Sequence, residues 1–132
     1  MKRAIHTKIC PCGTGKQFEN CCERFLSKRE IPDSPLLLMR SRYSAFALGG
    51  YGDYLVETWI PRLHAGLSSA ELSVRDVNWV GLTIHSHRSS ADLGEVEFSA
   101  YFTDLEHNVQ EHRELSSFCR ENGRWFYVEA LR

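Results

Sequence analysis

The sequence predicts an α+β protein: helices first, then an antiparallel meander of strands, with a small cysteine-rich module ahead of both. Three observations carry this. The hydrophobic period is helical between Leu36 and Trp59 and changes to two after Val74. Asn122-Gly123 stands between two strand-like runs and is a strong hairpin signal. Four of the five cysteines fall between Cys10 and Cys22. At 132 residues and 42% hydrophobic content the chain supports one modest core, and no apolar run is long enough to span a membrane.

The first element is the stretch Cys10-Pro-Cys-Gly-Thr-Gly-Lys-Gln-Phe-Glu-Asn-Cys-Cys22. Thiols adjacent or one residue apart close only into strained disulfides. Clustered reduced thiols are better read as metal ligands, and four thiolates suit tetrahedral Zn²⁺. The opening Met-Lys-Arg-Ala-Ile-His carries no apolar signal segment, which points to a reducing, cytoplasmic setting. Gly13 and Gly15 permit a tight reversal with N–H groups directed at sulfur. Phe18 is placed to cover the metal, and Lys8, Lys16 and Arg24 to offset its excess negative charge. Gly13-Thr14-Gly15-Lys16 is not a phosphate loop, because its glycine spacing is too short and Gln17 stands where a hydroxyl is needed. Residues 1–29 hold seven basic side chains, Lys2 and Arg3 among them, against two acidic ones, giving +5 beside −6 for the remainder. Such an arm can dock on nucleic acid, on an acidic protein or on its own body, or simply balance the thiolates.

A short helix is expected from Asn20 to Leu26. A linker follows over Ser27–Asp33 and divides the chain into 1–30 and 31–132. Asp33-Ser34-Pro35 starts the main helix. Leu36, Met39, Arg40, Tyr43 and Phe46-Ala47 form its apolar stripe, and Gly49-Gly50 ends it. A second helix begins near Asp53, buries Leu55 and Trp59, and is closed by Pro61. Ser68-Ser-Ala-Glu71 has capping-box spacing.

In the first strand Val77, Trp79, Gly81 and Thr83 alternate with Asn78, Val80, Leu82 and Ile84. Apolar residues on both parities predict a central strand. After a turn at Ser89–Asp92, Val96, Phe98, Ala100 and Phe102 alternate with polar neighbours, the pattern of a half-buried strand. Asp104–Asn108 turns the chain into a third strand, Val109 to Arg120, and Asn122-Gly123 returns it through Arg124–Glu129.

The cysteine stretch closely resembles the SEC-C motif, a zinc knuckle, with Thr14 where Ser is usual. The resemblance implies one structural Zn²⁺ held by Cys10, Cys12, Cys21 and Cys22. The element order resembles the nuclear transport factor 2 (NTF2)-like fold, a curved sheet wrapped around helices. Met39-Arg-Ser-Arg-Tyr-Ser-Ala-Phe46, Tyr54-Leu-x-x-Thr-Trp59, and His112-x-x-x-Ser116-x-Phe118 with Gly123-Arg-Trp125-x-Tyr127 resemble the YchJ-like family of bacterial proteins over nearly the whole chain. That resemblance implies a SEC-C knuckle joined to an NTF2-like domain and attaches no reaction to it.

A pocket on the concave face would draw on Arg40, Tyr43, Trp59, Trp79, His112, Glu114, Ser116 and Phe118. Arg40, on the apolar stripe, needs a partner. It is either an anion-binding group at the pocket mouth or, the favoured reading, an ion pair to Glu114 or Glu97. His112, Glu114, Ser116 and Phe118 share a strand face. His112 and Glu114 form either a general acid–base pair or a buried polar network, the latter favoured. His85 and His87, two apart, share a face that would suit a metal or an exposed strand end. Cys119 reads as a small core residue, as do Trp59, Trp79 and Trp125.

The expected function is that of a cytoplasmic zinc-binding protein. Its knuckle serves as a structural or interaction module for a protein partner, beside a pocket for a small ligand. The alternatives are a small-metabolite enzyme using His112 and Glu114, and a ribosome- or nucleic-acid-associated factor using the basic arm. The domain from Ser34 onward is expected to have its own core, so that removing zinc disorders residues 8–26 and spares the sheet.

Overall fold

The structure, a computed structural model, describes residues 8–63 and 66–132. Lys2 and Arg3 of the basic arm lie outside the described residues. Helix α1 spans Glu23–Leu26, α2 Pro35–Leu48, α3 Gly52–Glu57 and α4 Ser69–Ser73, with 3-10 turns at Phe18–Asn20 and Pro61–Leu63. Strands β1 (Asn78–Ser90), β2 (Leu93–Thr103), β3 (Val109–Glu121) and β4 (Arg124–Ala130) form one antiparallel sheet in the order β1-β2-β3-β4. The fold class is therefore α+β, helices before a meander. The short helix is reached through the 3-10 turn rather than as one run from Asn20.

Helix α2 is the element on which the rest is assembled. The Ser34 hydroxyl accepts the Leu37 N–H at 3.1 Å, Pro35 occupies the first turn, and Gly49 closes the helix at φ 74° with its N–H on the Ala45 carbonyl. Its start lies hard on the sheet. A Cβ at Gly94 would come within 2.4 Å of Pro35 Cγ, so only glycine permits that approach. The single stripe read from the sequence is too narrow. Leu38, Ser41, Arg42, Ser44 and Ala45 are buried as well, whereas Arg40 is half-buried and Phe46 exposed. A helix buried nearly all round has covers on two sides, and here these are the sheet and the cysteine knuckle.

The first strand is an edge strand and not a central one. Register shifts between Trp79 and Gly81 and between Ile84 and Ser86 leave Val80 and His85 as bulge residues. The first shift changes the alternation, so Trp79, Leu82 and Ile84 all face the same side, opposite Phe102, Ala100 and Phe98. Apolar residues on both parities thus serve one buried face, and Val80 is exposed. The true central apolar strand is β2, where Val96, Phe98 and Ala100 are buried.

The far edge is closed by the segment after α3. Tyr127 donates its N–H to the Thr58 carbonyl at 2.8 Å, and Ile60 donates to the Tyr127 carbonyl at 2.9 Å. These bonds fix Trp59 against Tyr127, ring to ring at 5.7 Å.

The core is continuous across the expected boundary. Cys10, Cys12, Cys21, Cys22, Phe25 and Leu26 belong to the same buried cluster as Leu38, Tyr43, Leu55, Val96, Phe98 and Phe118. The expectation of a separate core behind the knuckle does not hold. The knuckle is too small to enclose its own apolar groups and shares those of α2.

Candidate metal centre and inner-face cavity

Two sites lie on opposite sides of α2. The first is built locally. Cys10 donates its N–H to the Lys16 carbonyl at 2.8 Å and Phe18 to the Lys8 carbonyl at 2.7 Å, making a small hairpin whose reversal uses Gly13 (φ 88°) and Gly15 (φ 83°). The 3-10 turn and α1 then bring Cys21 and Cys22 back beside Cys10 and Cys12. All four thiols are buried, and their Sγ atoms lie within 4.8 Å of one another, Cys12 and Cys21 at 3.5 Å. Metal–sulfur bonds of about 2.3 Å in a tetrahedron separate sulfurs by about 3.8 Å, so this donor set fits a metal ion. Hydrogen bonds from Cys10 and Cys22 pull the Cys12 thiol below its ordinary range, while bonds to Cys10 and Cys12 push Cys22 up. Sulfurs crowded this closely cannot all be thiolates without a cation among them.

The surroundings lock the cluster to the body. The Thr14 hydroxyl lies 3.2 Å from Cys21 Sγ and 3.6 Å from Cys12 Sγ, and Ser44 Oγ of α2 lies 3.6 Å from Cys10 Sγ. Arg40 donates from Nη1 to the Cys12 carbonyl at 2.6 Å. It forms no ion pair with Glu114 or Glu97 and does not line the cavity on the other side, so both readings of Arg40 are corrected. Its side of α2 faces the knuckle.

The second site is a cavity of about 410 Å³ between α2 and the inner face of the sheet. Tyr43, Trp59, Trp79, His112, Glu114 and Ser116 line it as the sequence suggests, together with Met39, Phe46, Val77, Phe98, Ala100, Phe102 and Tyr127. Phe118 lies further along the strand, 1% exposed and edge-on to Tyr127, and does not line it. The cation that does line it is Arg42, 5% exposed. Arg42 is not among the pocket residues expected from the sequence, because it does not share the helix face of Arg40 and periodicity marks only that one stripe as buried. The Ser-Arg-Tyr context within an apolar helix was the available signal.

Polar groups gather at one end of the cavity. Glu114 Oε1 lies 2.9 Å from His112 Nε2, and Oε2 accepts from the Ser116 hydroxyl at 2.5 Å and from the Tyr127 hydroxyl at 3.1 Å. Burial and the adjacent Glu114 carboxylate push the Tyr127 phenol up. Arg42 donates from Nη1 to the Leu55 carbonyl at 2.8 Å and to Thr58 Oγ1 at 2.6 Å. Its guanidinium lies 4.8 Å from the Tyr127 ring centre and 5.7 Å from that of Trp59. Burial lowers its pKa to about 10.

His85 and His87 do not share a face. The bulge turns His85 to Ser99 on the outer side, at 2.7 Å, while His87 stands opposite Val96. Cys119 is half-buried beside Arg62, and Trp125 is core.

Fold and sites together define a protein class: a four-cysteine knuckle seated on the roof helix of a cavity-bearing α+β domain. Residues 7–24 match the SEC-C motif, and residues 34–130 match the family described as the middle NTF2-like domain of YchJ. The chain belongs to that YchJ family. It is similar to a SEC-C motif containing protein from Rhodopseudomonas palustris, solved in solution, at 33% identity over 93% of this chain and 97% of that one, with a TM-score of 0.83. A crystallised SEC-C motif containing protein from Psychrobacter arcticus is 28% identical over 96% of this chain and 82% of that one, with a TM-score of 0.79. Among the described residues no helix is long and apolar enough to cross a membrane.

Proposed function

We propose that this chain is a zinc-stabilised carrier or sensor of a small, largely apolar ligand. The knuckle holds one Zn²⁺ through Cys10, Cys12, Cys21 and Cys22, and the ligand occupies the cavity under α2. The observation that carries the reading is the cavity itself. It has aromatic walls, and its polar groups converge at one end, the usual make-up of a small-molecule site. Zinc is favoured by the all-sulfur donor set, and a closed set of four leaves no position for substrate. Reduced thiols of this kind suit a cytoplasmic setting.

Native mass spectrometry of the chain as purified is the test. One zinc per chain, removable by a chelator, and a small-molecule adduct that is lost on Ala100→Phe are the expected results. Ala100 is 3% exposed on the cavity wall, so the larger ring would fill the space. Absence of zinc, or an adduct indifferent to that substitution, would contradict the reading.

A second reading uses the same cavity for acid–base chemistry. The His112–Glu114 contact at 2.9 Å, on the wall of an open volume, favours it. Association with nucleic acid through the arm is the weaker reading, because Arg24, Lys28 and Arg29 already pair with Glu30, Glu57 and Glu23. A protein partner on the knuckle would meet its outer rim, Gly13 to Gln17, which is exposed.

A further inference from the structure

We propose that the cavity selects a planar aromatic monocarboxylate, with its ring system against the aromatic walls and its carboxylate on Arg42. This rests on the reading of the cavity as a ligand site. The buried Arg42 and the half-buried Glu114 are unequally partnered. Glu114 is already satisfied, with donors from Ser116 and Tyr127 on one oxygen and His112 on the other. Arg42 is not. A guanidinium carries five N–H donors, and only Nη1 has hydrogen-bond partners among the described residues. No carboxylate stands within ion-pairing distance of it among the described residues. Two hydrogen bonds, two ring faces and the more distant Glu114 offset only part of the desolvation of a cation 5% exposed, and its remaining donors border the cavity.

A ligand that brings one negative charge supplies the missing partner, and a carboxylate matches the planar fork of the side chain. The same reasoning disfavours two other classes. An amine would have to share a carboxylate that already takes three contacts, and would stand beside the Arg42 cation. A phosphate monoester carries close to two charges, and the second would face Glu114. The body of the ligand follows from the walls, where Trp59, Trp79, Phe98 and Phe102 present ring surfaces to a cavity of about 410 Å³. That volume is at the lower end of the ~300–1,000 Å³ found for ligand sites, which limits the ligand to one or two rings.

The test is calorimetric titration of the metal-loaded full chain with cinnamate, cinnamamide and cinnamylamine, which share a body and differ in charge. Cinnamate is expected to bind at least tenfold more tightly than the amide, with the amine weakest. Arg42→Gln should bring the acid down to the affinity of the amide, and Glu114→Gln should tighten the acid severalfold. If Arg42→Gln fails to fold, the charge series on the unsubstituted chain decides alone. An acid no tighter than the amide, or an amine that binds best, overturns the carboxylate proposal and leaves the cavity a ligand site. Failure of all three to bind overturns the proposal and the ligand-site reading together.

Discussion

The two sides of α2 solve the same problem differently. Both bury charged or chargeable groups against one helix. On the knuckle side the sulfur cluster is complete, with four donors from residues 10–22, second contacts from Thr14 and Ser44, and its backbone held by Arg40. On the cavity side Arg42 and Glu114 come from elements 72 positions apart in sequence, and one of them is left without a counter-ion. The donor set on the knuckle side is closed, whereas on the cavity side the remaining Arg42 donors border an open volume. Arginines two apart therefore have opposite roles, because positions i and i+2 of a helix face different ways.

The comparison can be broken from either side. The largest effect is expected from Cys12→Ser. Structural zinc contributes ~10–16 kcal/mol in small modules, comparable with the whole stability of a domain at ~5–15 kcal/mol. Because the core is shared, Cys12→Ser should lower the thermal midpoint of the sheet itself, in one transition followed by circular dichroism. Two separated transitions would mean that the sides are independent.

Next comes Arg42→Met. It leaves the Leu55 carbonyl and Thr58 hydroxyl without their donor, at a cost of about 3 kcal/mol, read as a shift in denaturant midpoint. Zinc affinity in a chelator competition should change little. Arg40→Met should do the reverse. The loss of one half-exposed bond to Cys12 costs about 1.5 kcal/mol, but zinc should leave faster while cavity binding persists. Identical profiles for the two variants would remove the distinction between the faces.

The smallest effect is a pH dependence. Burial pushes Tyr54 up to about 12 and raises Tyr43 and Tyr127 as well. Folding holds these protons beyond the ordinary phenol range near pH 10. The stability they contribute is fully present below that range and is lost as pH rises through their folded values. Arg42 acts in the opposite sense, its folded value of about 10 lying below the usual 12.5, so its cost is relieved over that window. Three phenols against one guanidinium give falling stability above pH 10. Phenolate absorbance should show Tyr43, Tyr54 and Tyr127 ionising at higher pH in the folded chain than in denaturant. Five tyrosines ionising together in the folded chain would contradict the burial of Tyr43, Tyr54 and Tyr127.

How much of this was legible in the sequence follows from range. The knuckle was legible because its ligands are local and its chemistry needs no tertiary information. The hairpin at Asn122-Gly123 and the caps at Ser34 and Ser68 were legible for the same reason, and each is present. The edge position of β1 was not, because a bulge at Val80 produces the apolar pattern of a central strand while burying one face. Nor was the division of labour between Arg40 and Arg42. Periodicity marks one buried stripe, and α2 acquires a second only when the knuckle docks on it. His112 and Glu114 were placed on a common face by strand alternation alone, and their relation to Tyr127 depended on the register of β4.

The claim on which both sites depend is that α2 is a shared wall, so that the knuckle and the sheet are one folding unit. Amide hydrogen exchange of the chelated chain against the metal-loaded chain tests it most directly. Protection should fall in α2 and in β2 around Phe98–Ala100 together with residues 8–26. Full protection of α2 and β2, with loss confined to residues 8–26, would contradict it.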